Sequence, residues 1–197
     1  MTEDALVVGT SGNVSVRVGD DRVLVTPSGV PYEALATTDP VAVNLAGQQV
    51  NGKLKPTSEL PLHLSIYAST PARAVVHTHA VHATAVSTLV DEVPPIHYMT
   101  AALGGVVRVA PYALYGTEEL ARGMAAALAD RTGCLLRNHG TIVYGDTLAE
   151  AYDRTAQLEW MCRVWLTARS AGVGEPALLT EAQVAAAGEK LRGYGQR

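Results

Sequence analysis

The chain has 197 residues, 48% of them hydrophobic and 17% charged, which is enough apolar material for one sizeable core and excludes intrinsic disorder as a class. A formal net charge of −4 without a basic stripe argues against a nucleic-acid partner, and the apolar runs fall short of the roughly 18 residues a membrane span requires. Two distant cysteines, Cys134 and Cys162, exclude a disulfide framework, and the acidic start Met1-Thr2-Glu3-Asp4 is unlike a signal peptide, so a reducing, cytoplasmic setting is expected.

In chain order, strands are predicted over 14–18 and 22–26, joined by the turn Gly19-Asp20-Asp21, with a third over 41–44 closed by Gly47. Pro56-Thr57-Ser58 leads into a helix over 59–68, capped by Thr57 or Ser58, with Pro61 in the first turn where its missing N–H is tolerated. Residues 74–79 (Ala-Val-Val-His-Thr-His) read as a buried strand, and 80–89 as a helix. Gly104-Gly105 precedes a β-rich run over 106–109. Gly116-Thr117 opens a helix over 118–131 with Leu120, Met124 and Leu128 on one stripe, stopped by Thr132-Gly133. Strands over 134–137 and 141–144 flank the turn Asn138-His139-Gly140. Asp146 or Thr147 caps a long helix over 149–170 that buries Leu158, Met161 and Trp165. Thr180-Glu181-Ala182-Gln183 resembles a capping box for a last helix, and a short tail, 193–197, follows. Strands mixed with helices, several at hairpin spacing, predict a single-domain α/β (α+β) sandwich with a mainly antiparallel sheet. No Gly-x-Gly-x-x-Gly joins a strand to a helix, so a dinucleotide site is excluded.

Histidine placement carries the strongest chemical signal. His77 and His79 stand two apart on a predicted strand, where side chains share a face and two imidazoles can meet one ion. A hydrogen-bonded core pair is the competing explanation. His139, in a Gly-flanked turn, favours the ion, because three histidines with one open position suit a catalytic rather than a structural metal. His63 reads as structural, His82 as support or packing, and His97, beside Tyr98, as facing solvent, substrate or a subunit contact. Three turns rich in small polar residues, 10–13, 26–29 and 56–59, could cradle a phosphate through hydroxyls and backbone N–H groups, or serve only as turns and caps. Glu59 closes the last of them, directly after Thr57-Ser58. There it acts as a helix-dipole partner or, if that helix end faces the metal, as a ligand or proton shuttle.

Taken together, the segments Gly-Thr-Ser-Gly-Asn-Val-Ser-Val-Arg (9–17), Thr-Pro-Ser-Gly-Val-Pro-Tyr (26–32), Thr-Ser-Glu-Leu-Pro-Leu-His (57–63), the His-rich run 75–87, Ile-His-Tyr-Met (96–99), Ala-Pro-Tyr (110–112), Tyr-Gly-Thr (115–117) and Asn-His-Gly (138–140) resemble the class II aldolase and adducin family. The resemblance runs from Val8 to the Tyr194 tail. It implies a three-layer fold with a mainly antiparallel central sheet flanked by helices. It also implies metal-dependent, reversible cleavage of a ketose 1-phosphate, with L-fuculose 1-phosphate the leading choice, to dihydroxyacetone phosphate and an aldehyde. By the same resemblance His77, His79, His139 and Glu59 would hold the metal, usually Zn²⁺, with Mn²⁺ or Co²⁺ as alternatives. Glu59 would be the acid/base. Gly12, Asn13, Thr26, Ser28, Gly29, Thr57 and Ser58 would line the phosphate pocket, Tyr98 would donate a proton into a neighbouring subunit's site, and Tyr194 would close over substrate. A homotetramer with interface sites is expected. The family pattern has a helix before the Gly-Thr-Ser-Gly-Asn segment, whereas only Met1 to Val8 precede it here. L-Ribulose-5-phosphate 4-epimerase, methylthioribulose-1-phosphate dehydratase and a non-catalytic adducin-like module stay open as alternatives. Glu59 speaks against the first and the intact histidines against the last.

Overall fold

The computed structural model describes residues 1–194. The first half folds as consecutive antiparallel hairpins, β1 (Asn13–Val18), β2 (Arg22–Val25), β3 (Val41–Asn44) and β4 (Gln49–Asn51). Helix α1 (Leu60–Ser69) leads to β5 (Ala74–Thr78), whose five residues are all buried at the centre of the sheet. Then come α2 (Val81–Ser87), β6 (Val109–Ala110), α3 (Glu118–Ala127), β7 (Gly133–Leu136), β8 (Gly140–Gly145), α4 (Leu148–Ser170) and α5 (Glu181–Leu191). Among the described residues eight strands form one open sheet in the order β4-β3-β2-β1-β5-β8-β7-β6. Every pairing is antiparallel except β6 with β7, which makes the sheet mixed.

Period-2 alternation divides the core between the two faces of this sheet. Cys134, Leu136 and Ile142 point to one side, where they meet Leu62 and Ile66 of α1 and Leu120 and Met124 of α3. Leu135 and Val143 point to the other, against Ala83 and Val86 of α2 and Leu158, Met161 and Trp165 of α4. His77 pairs with Ile142 and stands in β5 two residues from Val75, so it shares the α1 face. That register carries its ring toward the N-terminus of α1.

Several boundaries move from those expected. The run 106–109 forms a strand only at Val109–Ala110. Helix α3 stops at Ala127 rather than at 131, with Leu128 as its C-cap and Asp130 at φ +59°. β5 ends at Thr78, so His79 lies just past the strand. The long helix is capped by Thr147, whose hydroxyl accepts from Glu150 N, and the Thr180–Gln183 capping box is complete. At α1 the N-cap residue is Glu59 itself, and its side chain makes no cap bond. The Thr57 hydroxyl accepts from Glu59 N instead, which leaves the carboxylate free to turn inward. The expected helix 80–89 shortens to Val81–Ser87.

Candidate active site

Four side chains from four places in the chain meet at one end of β5. His77 comes from the strand, His79 from just beyond it, His139 from the β7–β8 turn and Glu59 from the start of α1. One ligand atom of each lies within 4.8 Å of the others. The three imidazole centroids form a nearly equilateral triangle of 4.8 to 4.9 Å sides, with rings close to perpendicular. Backbone geometry enforces this arrangement. Asn138 takes a left-handed φ of +56° to turn the hairpin. At Gly140 a Cβ would stand 2.0 Å from Thr78 O, so only glycine lets the His139 turn lie against the end of β5.

Hydrogen bonding settles which nitrogens are available. The carbonyl of Thr141 can only accept, so His77 Nδ1, 2.7 Å away, donates to it. That leaves a lone pair on Nε2 of neutral His77. This nitrogen lies 3.0 Å from His79 Nε2 and 3.0 Å from Glu59 Oε2. Glu59 Oε1 lies 3.1 Å from His139 Nε2 but makes no hydrogen bond there, although it is buried. Burial by itself pushes the Glu59 carboxyl up, yet the close imidazoles of His139 and His77, by contact and, whenever they carry a proton, by charge, outweigh it and hold the group below the usual carboxylate range. His79 is pushed down to about 4, first by burial and then by His77 and His139, while Glu59 acts the other way. It is therefore neutral at neutral pH. Convergent lone pairs around an orphaned carboxylate oxygen fit a divalent cation held by three histidines and one carboxylate, a donor set suited to Zn²⁺, Mn²⁺ or Co²⁺.

This cluster forms the wall of a cleft of about 410 Å³. Gly12, Asn13, Ser28, Gly29, Thr57 and Ser58 line it, together with Glu59, His79 and His139. The bridge between Pro27 and Pro56 brings two of the small polar turns side by side. Among the described lining residues there is no Lys or Arg, so an anion here would be held by hydroxyls and N–H groups. His77 stands behind the wall, fully buried.

Three expected site residues lie elsewhere. The Thr26 hydroxyl accepts from Val14 N and donates to Val14 O, so it faces the sheet and does not line the cleft. Tyr98 begins the 3₁₀ segment Tyr98–Leu103, half exposed and packed on the His97 ring, outside the cleft of its own chain. Tyr194 follows α5 and is 85% exposed. Asn13 does line the cleft, but its amide bridges Glu59 and His63. Conversely Tyr112, Tyr115 and Asn138, which stand in the family-like segments but carry no expected site role, line the cleft. The loop carrying the tyrosines passes so close to the Thr57-Ser58 turn that a Cβ at Gly116 would lie 2.7 Å from Ser58 O. No periodicity reports such a contact; Pro111 and Gly116, bracketing two exposed aromatics, were the available hint.

The profile of the Class II Aldolase and Adducin N-terminal domain matches residues 1–166. The chain is similar to the L-fuculose phosphate aldolase of Escherichia coli (strain K12), 42% identical over 200 residues that cover 100% of this chain and 91% of that one. It is 35% identical to the 5-deoxy-D-ribulose 1-phosphate aldolase of Bacillus thuringiensis serovar kurstaki, over 100% of this chain and 92% of the relative. A solved L-fuculose 1-phosphate aldolase superposes with a TM-score of 0.92 at 34% identity, covering 97% of this chain and 90% of that one.

Proposed function

Because the chain belongs to the class II aldolase and adducin family, as a metal-dependent enzyme of the fuculose-phosphate aldolase type, we propose that it reversibly cleaves L-fuculose 1-phosphate to dihydroxyacetone phosphate and L-lactaldehyde. The observation that carries this reading is the convergence of Glu59 with three histidines at the wall of a cleft built from hydroxyl-rich turns.

His77, His79, His139 and Glu59 would hold the cation. When bound, it supplies Lewis-acid stabilisation of the negative charge that develops on the substrate oxygens as C3–C4 breaks. The turns of Gly12, Ser28, Gly29, Thr57 and Ser58 would bind the phosphate, joined by Thr10 and Ser11 of the same lining. In cleavage the C4 hydroxyl proton passes to the Tyr98 phenolate of a neighbouring subunit, C4 becomes the aldehyde carbon, and the electron pair of C3–C4 passes into the enediolate of dihydroxyacetone phosphate; the proton lost at C4 is balanced by the one gained at C3. Glu59 then delivers a proton to C3. Oε1 is the atom suited to carry that proton, because Oε2 already accepts from Asn13. In synthesis Glu59 removes the same proton and Tyr98 protonates the aldehyde oxygen. Tyr98 lies outside its own cleft, so this role requires a second subunit, as in a homotetramer with interface sites. Buried, unpaired Cys134 and Cys162 accord with a cytoplasmic enzyme.

A 5-deoxyribulose 1-phosphate substrate is the second reading, favoured by the relative of that name; it shares the phosphate end and the broken bond. Comparing kcat/KM for the two sugars decides between them. The proposal expects L-fuculose 1-phosphate to lead by about tenfold or more, since the missing hydroxyl would leave a polar contact unmade. The reverse order would transfer the assignment.

A further inference from the structure

Behind Glu59 a file of buried polar side chains runs into the core. Glu59 Oε2 lies 3.0 Å from Asn13 Nδ2, and Asn13 Oδ1 lies 2.5 Å from His63 Nε2. His63 Nδ1 lies 2.7 Å from Ser15 Oγ, which lies 2.8 Å from the Tyr67 hydroxyl. All five residues are 6% exposed or less. Two elements supply them. Asn13 and Ser15 are two apart on β1 and share a face. Glu59, His63 and Tyr67 are four apart along one stripe of α1.

The chemistry of each group gives this file one direction. A carboxylate oxygen only accepts, so Asn13 presents its NH₂ to Glu59 and its carbonyl to His63. His63 must then carry its proton on Nε2, which leaves Nδ1 to accept from Ser15. Ser15, having donated, accepts from Tyr67. Every donor points toward Glu59.

We propose that His63 is a positioning residue for Glu59: held by Ser15 and Tyr67 in its Nε2–H form, it fixes the Asn13 amide and thereby the orientation of the carboxylate. This role rests on Glu59 being the acid/base of the reading above. Without the His63 donor, Asn13 Oδ1 is left buried without its partner, so the amide can shift and Nδ2 loses its fixed place on Oε2. The phosphate turns are untouched, so the damage falls on the chemical step.

The test combines steady-state kinetics on L-fuculose 1-phosphate with nitrogen NMR of the imidazoles in the metal-free protein. His63→Phe is expected to lower kcat about 10–100-fold, the usual cost of removing such a support, with KM held within about twofold. Ser15→Ala and Tyr67→Phe each lower kcat by less, and their combination is no worse than Ser15→Ala alone, because Tyr67 acts through Ser15. Wild-type His63 shows the neutral Nε2–H tautomer at neutral pH. An Nδ1–H tautomer would overturn the proposal, as would unchanged kcat in folded Tyr67→Phe and Ser15→Ala. These two variants each lose only a hydroxyl, so they keep the test open if His63→Phe does not fold. A wild-type protein that cleaves neither sugar would instead overturn the aldolase reading, while the tautomer still reports on the file itself.

Discussion

Glu59 meets two opposing demands. Its carboxylate is buried, which favours the neutral acid, yet His77 and His139 stand within 3.1 Å and favour the anion, and the anion prevails. One oxygen is fixed by Asn13 and the other has no hydrogen-bond partner among the described residues. Glu59→Gln keeps shape and volume but cannot exchange a proton. Its kcat is expected to fall about 10²–10⁴-fold, checked by following dihydroxyacetone phosphate in a coupled assay; a loss of less than about tenfold would place the acid/base elsewhere. His77, His79 and His139 were legible as a group because strand spacing and a glycine turn are local signals. The partners of His63 were not. They are joined across 48 and 50 positions in the chain, and nothing in the residues around His63 reports them. Thr26 shows the opposite failure: a hydroxyl in a turn serves a ligand or its own backbone equally well, and here it serves the backbone.

At the level of elements, the β7–β8 hairpin is the most tightly specified part of the site. Gly140→Ala would drive a Cβ to 2.0 Å from Thr78 O, so β5 and the His139 turn must separate. The expected cost is at least about 1–3 kcal/mol, or several degrees in Tm at about 2–4 °C per kcal/mol for a chain of this size, with weakened metal binding. Calorimetry and metal titration check it, and an unchanged Tm would refute the contact. Helices with side-chain caps were legible: the hydroxyls of Thr117, Thr147 and Thr180 accept from the first turns of α3, α4 and α5. β4 and β6, with three and two residues, are too short for any period to appear. They exist because neighbouring strands offer partners, which is tertiary information.

For the whole molecule, burial of histidine ties stability to pH. His63 is pushed down to about 3, chiefly by burial and further by His77, with Glu59 opposing. Unfolded, it titrates near about 6.5. Between those values the unfolded chain binds the extra proton, so the contribution is complete above about pH 6.5 and is lost as pH falls, by at most about 1.4 kcal/mol per pH unit. Urea midpoints of the metal-free protein should therefore drop between about pH 6 and about pH 4. The drop should be shallower in His63→Phe; equal slopes would show that His63 is not the group responsible. The layered sheet was legible at this scale because capped helices alternate with apolar strands. The assembly of the cleft was not, since it depends on turns far apart in the chain closing on one end of β5.

The central claim is that Glu59 and the three histidines form a metal-dependent aldol centre. The most direct test is to incubate L-fuculose 1-phosphate with the zinc-loaded protein and follow dihydroxyacetone phosphate, beside chelated protein and Glu59→Gln. Release by the loaded protein that disappears on chelation, returns when Zn²⁺ is added back and is nearly absent in Glu59→Gln is the predicted result. Release that survives complete removal of the metal, or that Glu59→Gln supports at full rate, would contradict it.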